Sequence, residues 1–118
     1  MAYDTDNVFA KILREEIPCK KIFESEHALA FHDVAPSAPV HILVIPKGPY
    51  HSYADFMTNA KSEEILDFFR TVQTVAHGQG VGDAFRLITN NGEQVGQTVH
   101  HFHMHILGGK TLDKLVAD

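Results

Sequence analysis

The sequence predicts an α+β domain built on a mainly antiparallel sheet. Three observations carry that expectation. The chain has 118 residues, 44% hydrophobic and 21% charged, the profile of a single globular domain that can bury a core without disulfides. Two stretches show helical periodicity, a short one near the start and a long one past the middle. Around them lie short β-branched and aromatic runs separated by turn residues, giving the order helix, strands, long helix, strands.

Residues 7–15 place Val8, Phe9, Ile12 and Leu13 at helical spacing, with Asp6 as the expected N-cap and Pro18 ending the segment. Lys21–Glu24 and residues 27–31 read as two strands of a hairpin, broken at Ser25 and Glu26. Residues 33–39 form a proline-rich loop. Residues 41–45, His-Ile-Leu-Val-Ile, read as a strand buried on both faces and stopped by Pro46. The clearest helix spans residues 62–76, where Ile65, Phe68, Phe69, Val72, Val75 and Ala76 recur at i, i+3, i+4 spacing. Glu63 and Glu64 suit its N-terminal end, and Gly78 and Gly80 stop it. Residues 85–89 and 99–107 are the last strands, the second closed by Gly108 and Gly109.

Charge and cysteine content exclude several functions. Lys+Arg is 10 against Asp+Glu 15, a formal charge of −5 with histidine neutral. Such a chain, with no basic run, is not expected to bind nucleic acid or an anionic membrane. Cys19 has no partner for an internal disulfide. The start of the chain is acidic where a signal peptide would be basic, and the longest uncharged stretch, residues 34–46, is too short to span a bilayer. The expectation is a soluble cytoplasmic protein.

The chain has 9 histidines, four of them at positions 100, 101, 103 and 105. In a strand, His101, His103 and His105 fall on one face and Phe102, Met104 and Ile106 on the other. The apolar set would face the helices and the imidazoles the opposite surface. Three readings compete: chance in a histidine-rich chain, a metal site, and nucleophilic catalysis. Histidines at i and i+2 stand about 7 Å apart and can share a zinc ion, but the third, about 13 Å from the first, cannot join them without a bend. In the third reading, one ring nitrogen attacks while a neighbour orients it or handles protons.

The segment Gly96-Gln97-Thr98-Val99-His100-His101-Phe102-His103-Met104-His105-Ile106-Leu107-Gly108-Gly109 resembles the signature of the histidine triad (HIT) superfamily, in which histidines alternate with apolar residues. Phe9-Ala10-Lys11-Ile12, Glu16-Ile17-Pro18, Ala30-Phe31-His32-Asp33, Ala38-Pro39-Val40-His41 and Val44-Ile45-Pro46-Lys47 resemble successive blocks of its Hint branch, the purine nucleoside phosphoramidases. The resemblance spans residues 6–109, with residues 110–118 as a C-terminal tail of a single domain. It implies a five-stranded antiparallel sheet with two helices, dimerising into a ten-stranded sheet. It also implies hydrolysis of purine nucleoside 5′-phosphoramidates, without a cofactor, through a nucleotidyl-histidine intermediate.

Carried over residue by residue, the resemblance makes His103 the nucleophile. His105 would bind a phosphate oxygen or hold His103 in register, and His101 would donate towards the leaving group. His41 would fix the His103 tautomer through the triad network; it also reads as a core histidine. Asp33 matches the ribose-binding acid, though it equally starts an Asx-type turn before Pro36. Val34 would lie beside the sugar. Phe9, Ile12, Ile17 and Phe31 match an apolar slot for the base and, without the resemblance, read as ordinary core. Asn90, Gly96, Gln97 and Thr98 match phosphate-side contacts.

The chain also departs from the family pattern. Asn7 and Ala10 stand where some bacterial relatives carry zinc-binding cysteines, so no metal is expected, and Cys19 reads as a small apolar filler. The loop at Gly48-Pro49-Tyr50-His51 is one residue longer than the animal pattern, and His51 is given no role. His100 replaces an aromatic residue, and the tail lacks a tryptophan that animal members carry. Two rival readings stand beside this one: hydrolysis of dinucleoside polyphosphates, as in the fragile-histidine branch, and a purine-nucleotide binding module acting through protein partners. Gly108-Gly109 and Phe31-His32-Asp33 favour the Hint branch over the first.

Overall fold

Strand β3, Val40–Pro46, organises the molecule, because all but its first residue are buried. In the computed structural model, which describes residues 2–115, it is preceded by helix α1 (Val8–Leu13) and strands β1 (Lys21–Glu24) and β2 (Ala28–His32). It is followed by helices α2 (Tyr53–Asn59) and α3 (Ser62–Gly78), strand β4 (Phe85–Ile88), a 3₁₀ turn (Glu93–Val95) and strand β5 (Met104–Gly108). The sheet order is β1-β2-β3-β5-β4, and every neighbouring pair is antiparallel.

The period of two in the strands divides the core between the two faces of the sheet. Ala28, Ala30, Ile42, Val44, Met104 and Ile106 pack with Phe56 of α2 and Phe68, Val72, Val75 and Ala76 of α3. Leu29, Phe31, Leu43 and Ile45 face the other way, against Phe9 of α1. Phe102 enters the first core, its ring centroid 4.9 Å from that of Phe56 and 5.0 Å from that of Phe68. This cluster, fully buried, ties the stretch before β5 to both helices.

Several elements differ from expectation. Three helices form, not two. The extra one, α2, is capped by Ser52 Oγ, which accepts from the Asp55 N–H at 3.1 Å. Helix α1 is capped by Asn7 rather than Asp6: Asn7 Oδ1 accepts from Ala10 N–H at 2.9 Å, while the Asp6 N–H turns back to Asp4. Pro46 closes β3 from inside the ladder, opposite Ala28. Helix α3 continues to Gly78, its start held by Glu64, which accepts the Lys61 N–H at 2.9 Å. Strand β5 begins at Met104, not at residue 99, because β4 ends at Ile88, whose register partner is His105. The expected tail begins beside the end of α3, where Lys110 and Thr111 line a hollow with His77, Val81 and Asp83; residues 116–118 lie outside the described residues. No helix among the described residues is long and apolar enough to cross a membrane.

Candidate active site

The alternation along β5 and the three residues before it sends side chains to opposite sides. Phe102, Met104 and Ile106 enter the α2–α3 core, while the His103 ring lies against Phe9 of α1, edge to face, at 4.9 Å. The His105 ring lies beside His103, at 5.2 Å. Only His105 sits in the paired strand, opposite Leu43.

The hydrogen-bond partners assign each ring a tautomer, because a carbonyl can only accept and an N–H can only donate. His103 Nδ1 lies 2.8 Å from the main-chain oxygen of His101, so Nδ1 carries the proton and Nε2 keeps its lone pair. Burial pushes the His103 pKa below the ordinary histidine value, which keeps that lone pair free near neutral pH. The Ser37 N–H donates to His41 Nδ1 at 2.9 Å, so the His41 proton is on Nε2. That nitrogen lies 2.9 Å from His105 Nδ1, so His41 donates and His105 carries its own proton on Nε2. Burial, followed by the proximity of His103 and His41, holds His105 at about 4. The neighbouring rings therefore offer one bare nitrogen, on His103, and one N–H donor, on His105.

His101 is placed differently from expectation. It is 0% exposed, its Nε2–H donates to the Pro46 carbonyl at 2.8 Å, and its Nδ1 accepts from the Tyr3 hydroxyl. Both ring nitrogens are committed inside the fold, so the ring cannot donate to a leaving group. Burial lowers its pKa to about 4. What His101 offers the site is its carbonyl, which fixes His103. The expected action of His41 on His103 is also redirected, since His41 sets the tautomer of His105.

Asp33 opens a turn and also faces the relay. Its Oδ1 accepts from Ala35 N–H at 2.8 Å, and its Oδ2 lies 3.4 Å from His41 Nε2. With His41, Lys20, Pro36 and the 99% exposed Val34, it lines a hollow of about 470 Å³. Of the expected slot residues, Phe9 and Phe31 pack edge to face at 5.7 Å. Ile12 and Ile17 line a second cavity, of about 600 Å³, with Leu29 and Cys19, and neither Phe9 nor Phe31 is part of its lining.

The loop between β4 and β5 carries the remaining expected residues. Asn90 is half-buried and Thr98 exposed. Gly96 has φ +99°, and a Cβ there would sit 3.9 Å from the Asn90 amide nitrogen, so glycine is required by conformation rather than by space. Gln97 is only 4% exposed. Its amide donates to the His51 and Val99 carbonyls and accepts from Gly92 N–H, so the side chain braces the loop and is not available to a ligand. His100 pairs with Glu93 at 3.1 Å, and His51 lies 3.7 Å from Asp55.

Asp33, His41 and His105 bring ligand atoms within 4.8 Å of one another, a donor set that a metal ion could take. Ligation through His41 Nε2 needs a lone pair on that nitrogen, and the Ser37 N–H at Nδ1 puts a proton there instead. The trio is therefore built as a hydrogen-bond relay. Sequence reasoning missed Tyr3, the Ser37 N–H and the Pro46 carbonyl. Two of these are backbone groups with no residue signature, and Tyr3 is far away in the chain.

The model of the HIT domain family matches residues 14–112. An uncharacterized 13.2 kDa HIT-like protein of Azospirillum brasilense is 51% identical over 116 residues, covering 98% of this chain and 95% of that protein. Among solved structures, a HIT family hydrolase from Legionella pneumophila superposes with a TM-score of 0.85 at 34% identity, covering 92% of this chain and 96% of that one. A histidine triad protein from Clostridium difficile gives a TM-score of 0.83 at 38% identity, covering 98% and 100%.

Proposed function

The chain belongs to the HIT domain family, and from that premise we propose that it hydrolyses purine nucleoside 5′-phosphoramidates of the AMP–amine type through a nucleotidyl-His103 intermediate. The observation that carries this reading is the bare Nε2 of His103, held by the His101 carbonyl on Nδ1–H. In the first step Nε2 attacks the α-phosphorus and the phosphorus–amine bond breaks, the amine leaving with a proton from solvent. The attack makes the imidazole cationic, and the carbonyl on Nδ1–H stabilises that charge as it develops. The His105 Nε2–H donates to a non-bridging phosphoryl oxygen. Water then attacks phosphorus, the phosphorus–His103 bond breaks, AMP leaves, and the water's proton returns to solvent.

Asp33 accepts from the ribose hydroxyls beside Val34. Phe9, Ile12, Ile17 and Phe31 hold the base, while Asn90, Thr98 and the backbone of Gly96 and Gln97 face the phosphate. Hydrolysis is supported by the name of the Legionella relative, a HIT family hydrolase. We read the chain as one domain with a tail from residue 110. Among the described residues strand β4 pairs only with β5, so its outer edge can take a second copy and give a ten-stranded sheet. The net charge of −5 argues against nucleic-acid and membrane partners, and the lone thiol of Cys19 fits the cytoplasm.

The test is intact mass after a brief reaction with an AMP–amine, quenched under conditions that preserve phosphohistidine. A gain of one AMP, lost in His103→Asn, supports the reading. AMP binding with neither adduct nor turnover would leave a nucleotide-binding module instead.

A further inference from the structure

We propose that Tyr3 is a positioning residue for His103, acting through the ring and carbonyl of His101. The inference rests on the reading of His103 as the nucleophile. Tyr3 lies in the segment before α1, 98 positions from the histidine it meets. Its ring stands edge-on to His101, with centroids 5.6 Å apart, and its hydroxyl donates to His101 Nδ1. Because the opposite nitrogen donates to Pro46, the imidazole is pinned at both ends, between the start of the chain and the end of β3. Phe9, edge-on at 6.3 Å, closes a third side.

This matters because His101 precedes β5, where no strand neighbour among the described residues fixes the main chain. The peptide after His101 is held on its N–H side by the Tyr50 carbonyl, at 2.7 Å from Phe102 N. On its carbonyl side the His101 ring, pinned at both nitrogens, sets the position of the residue. That peptide's oxygen accepts from His103 Nδ1–H. Without the Tyr3 hydroxyl, His101 Nδ1 becomes an unpaired acceptor in a fully buried ring, a state that proteins avoid. The ring then turns or admits water, and the carbonyl it steers moves with it. The nucleophile loses its single tautomer while the groups that hold nucleotide keep their places.

Tyr3→Phe removes one oxygen and keeps the packing. It should lower kcat by about threefold to tenfold, the worth of one neutral hydrogen bond, with KM within about twofold. Long-range ¹⁵N–¹H spectra of the free protein should show His103 as a single Nδ1–H tautomer in the parent and as a mixture in the variant. A variant that melts earlier but keeps the parental His103 shifts and kcat would show Tyr3 to be mere packing and overturn the proposal. If the unmutated protein does not cleave phosphoramidates, the functional reading fails, and the ¹⁵N spectra still decide on Tyr3 alone. In the parent itself a slowly exchanging Tyr3 hydroxyl proton should correlate with His101 Nδ1, and its absence would also overturn the proposal, even if the variant does not fold.

Discussion

Acid should weaken the fold through His101, and the size of the effect follows from its burial. The ring is sealed from solvent and its pKa is pushed down to about 4, first of all by burial. In the unfolded chain the same ring titrates at the ordinary value of about 6.5. Between those two values the unfolded chain binds the proton and the folded one does not. The stabilisation is therefore fully present above about pH 6.5 and is lost as pH falls towards 4. Carrying the ring from 6.5 to about 4 corresponds to about 3 kcal/mol by pH 4. His103 and His105 are shifted the same way and add to the slope, His105 less than its shift suggests because its ring is partly open to solvent. The measurement is urea unfolding from pH 7 to 4 on the parent and on His101→Gln, which keeps a donor and an acceptor but cannot titrate. The parent should lose stability more steeply, by up to about 1.4 kcal/mol per pH unit. Equal slopes, or a His101 resonance titrating near 6.5 in the folded protein, would refute the sealed-ring account.

Three other outcomes are expected. His103→Asn should abolish turnover while AMP affinity, measured by calorimetry, stays within about tenfold, a change of about 1.4 kcal/mol; full activity in this variant would remove His103 as nucleophile. Asp33→Ala should weaken AMP binding and erase most of the preference for ribose over 2′-deoxyribose, since each lost charge-assisted hydrogen bond is worth about 1.5–3 kcal/mol. Equal binding of AMP and deoxy-AMP by the parent would reduce Asp33 to a turn residue. Phe102→Ala, which empties the centre of the Phe56–Phe68–Phe102 cluster, should cost about 3–5 kcal/mol in chemical denaturation, and a loss below 1 kcal/mol would mean that the helices close over the gap.

The fold class was legible because its signals are local. The continuous β-branched run in residues 41–45 and the apolar stripe from Ile65 to Ala76 depend on near neighbours, and both elements form where those patterns lie. Helix α2 carried a readable signal in Ser52 and Asp55, an N-cap followed three residues later by an acid. It was masked by the short span between Pro49 and Ala60. The histidine face followed from the period of two even though residues 101–103 have no ladder partner among the described residues, because an extended backbone alternates with or without a neighbour. What the sequence could not show is which atom each ring nitrogen meets. His101 reads as an equal member of a triad, yet the end of β3 and the start of the chain take both of its nitrogens. Gln97 reads as a ligand contact, yet three loop backbone groups consume its amide.

The protonation pattern of the site is written largely in main-chain atoms: the Ser37 N–H, the His101 carbonyl and the Pro46 carbonyl. No point substitution deletes these groups, short of proline at position 37, which would remove the amide hydrogen. Side chains other than Tyr3, His41 and His101 can therefore drift, altering which nucleotides fit, while the bare nitrogen of His103 and the donor on His105 persist. Reversing the roles of the two rings would take a shift of the backbone itself, at the loop before β3 or the approach to β5. Substrate choice and reactive polarity are in this way separable, the first open to change residue by residue and the second inherited with the path of the chain.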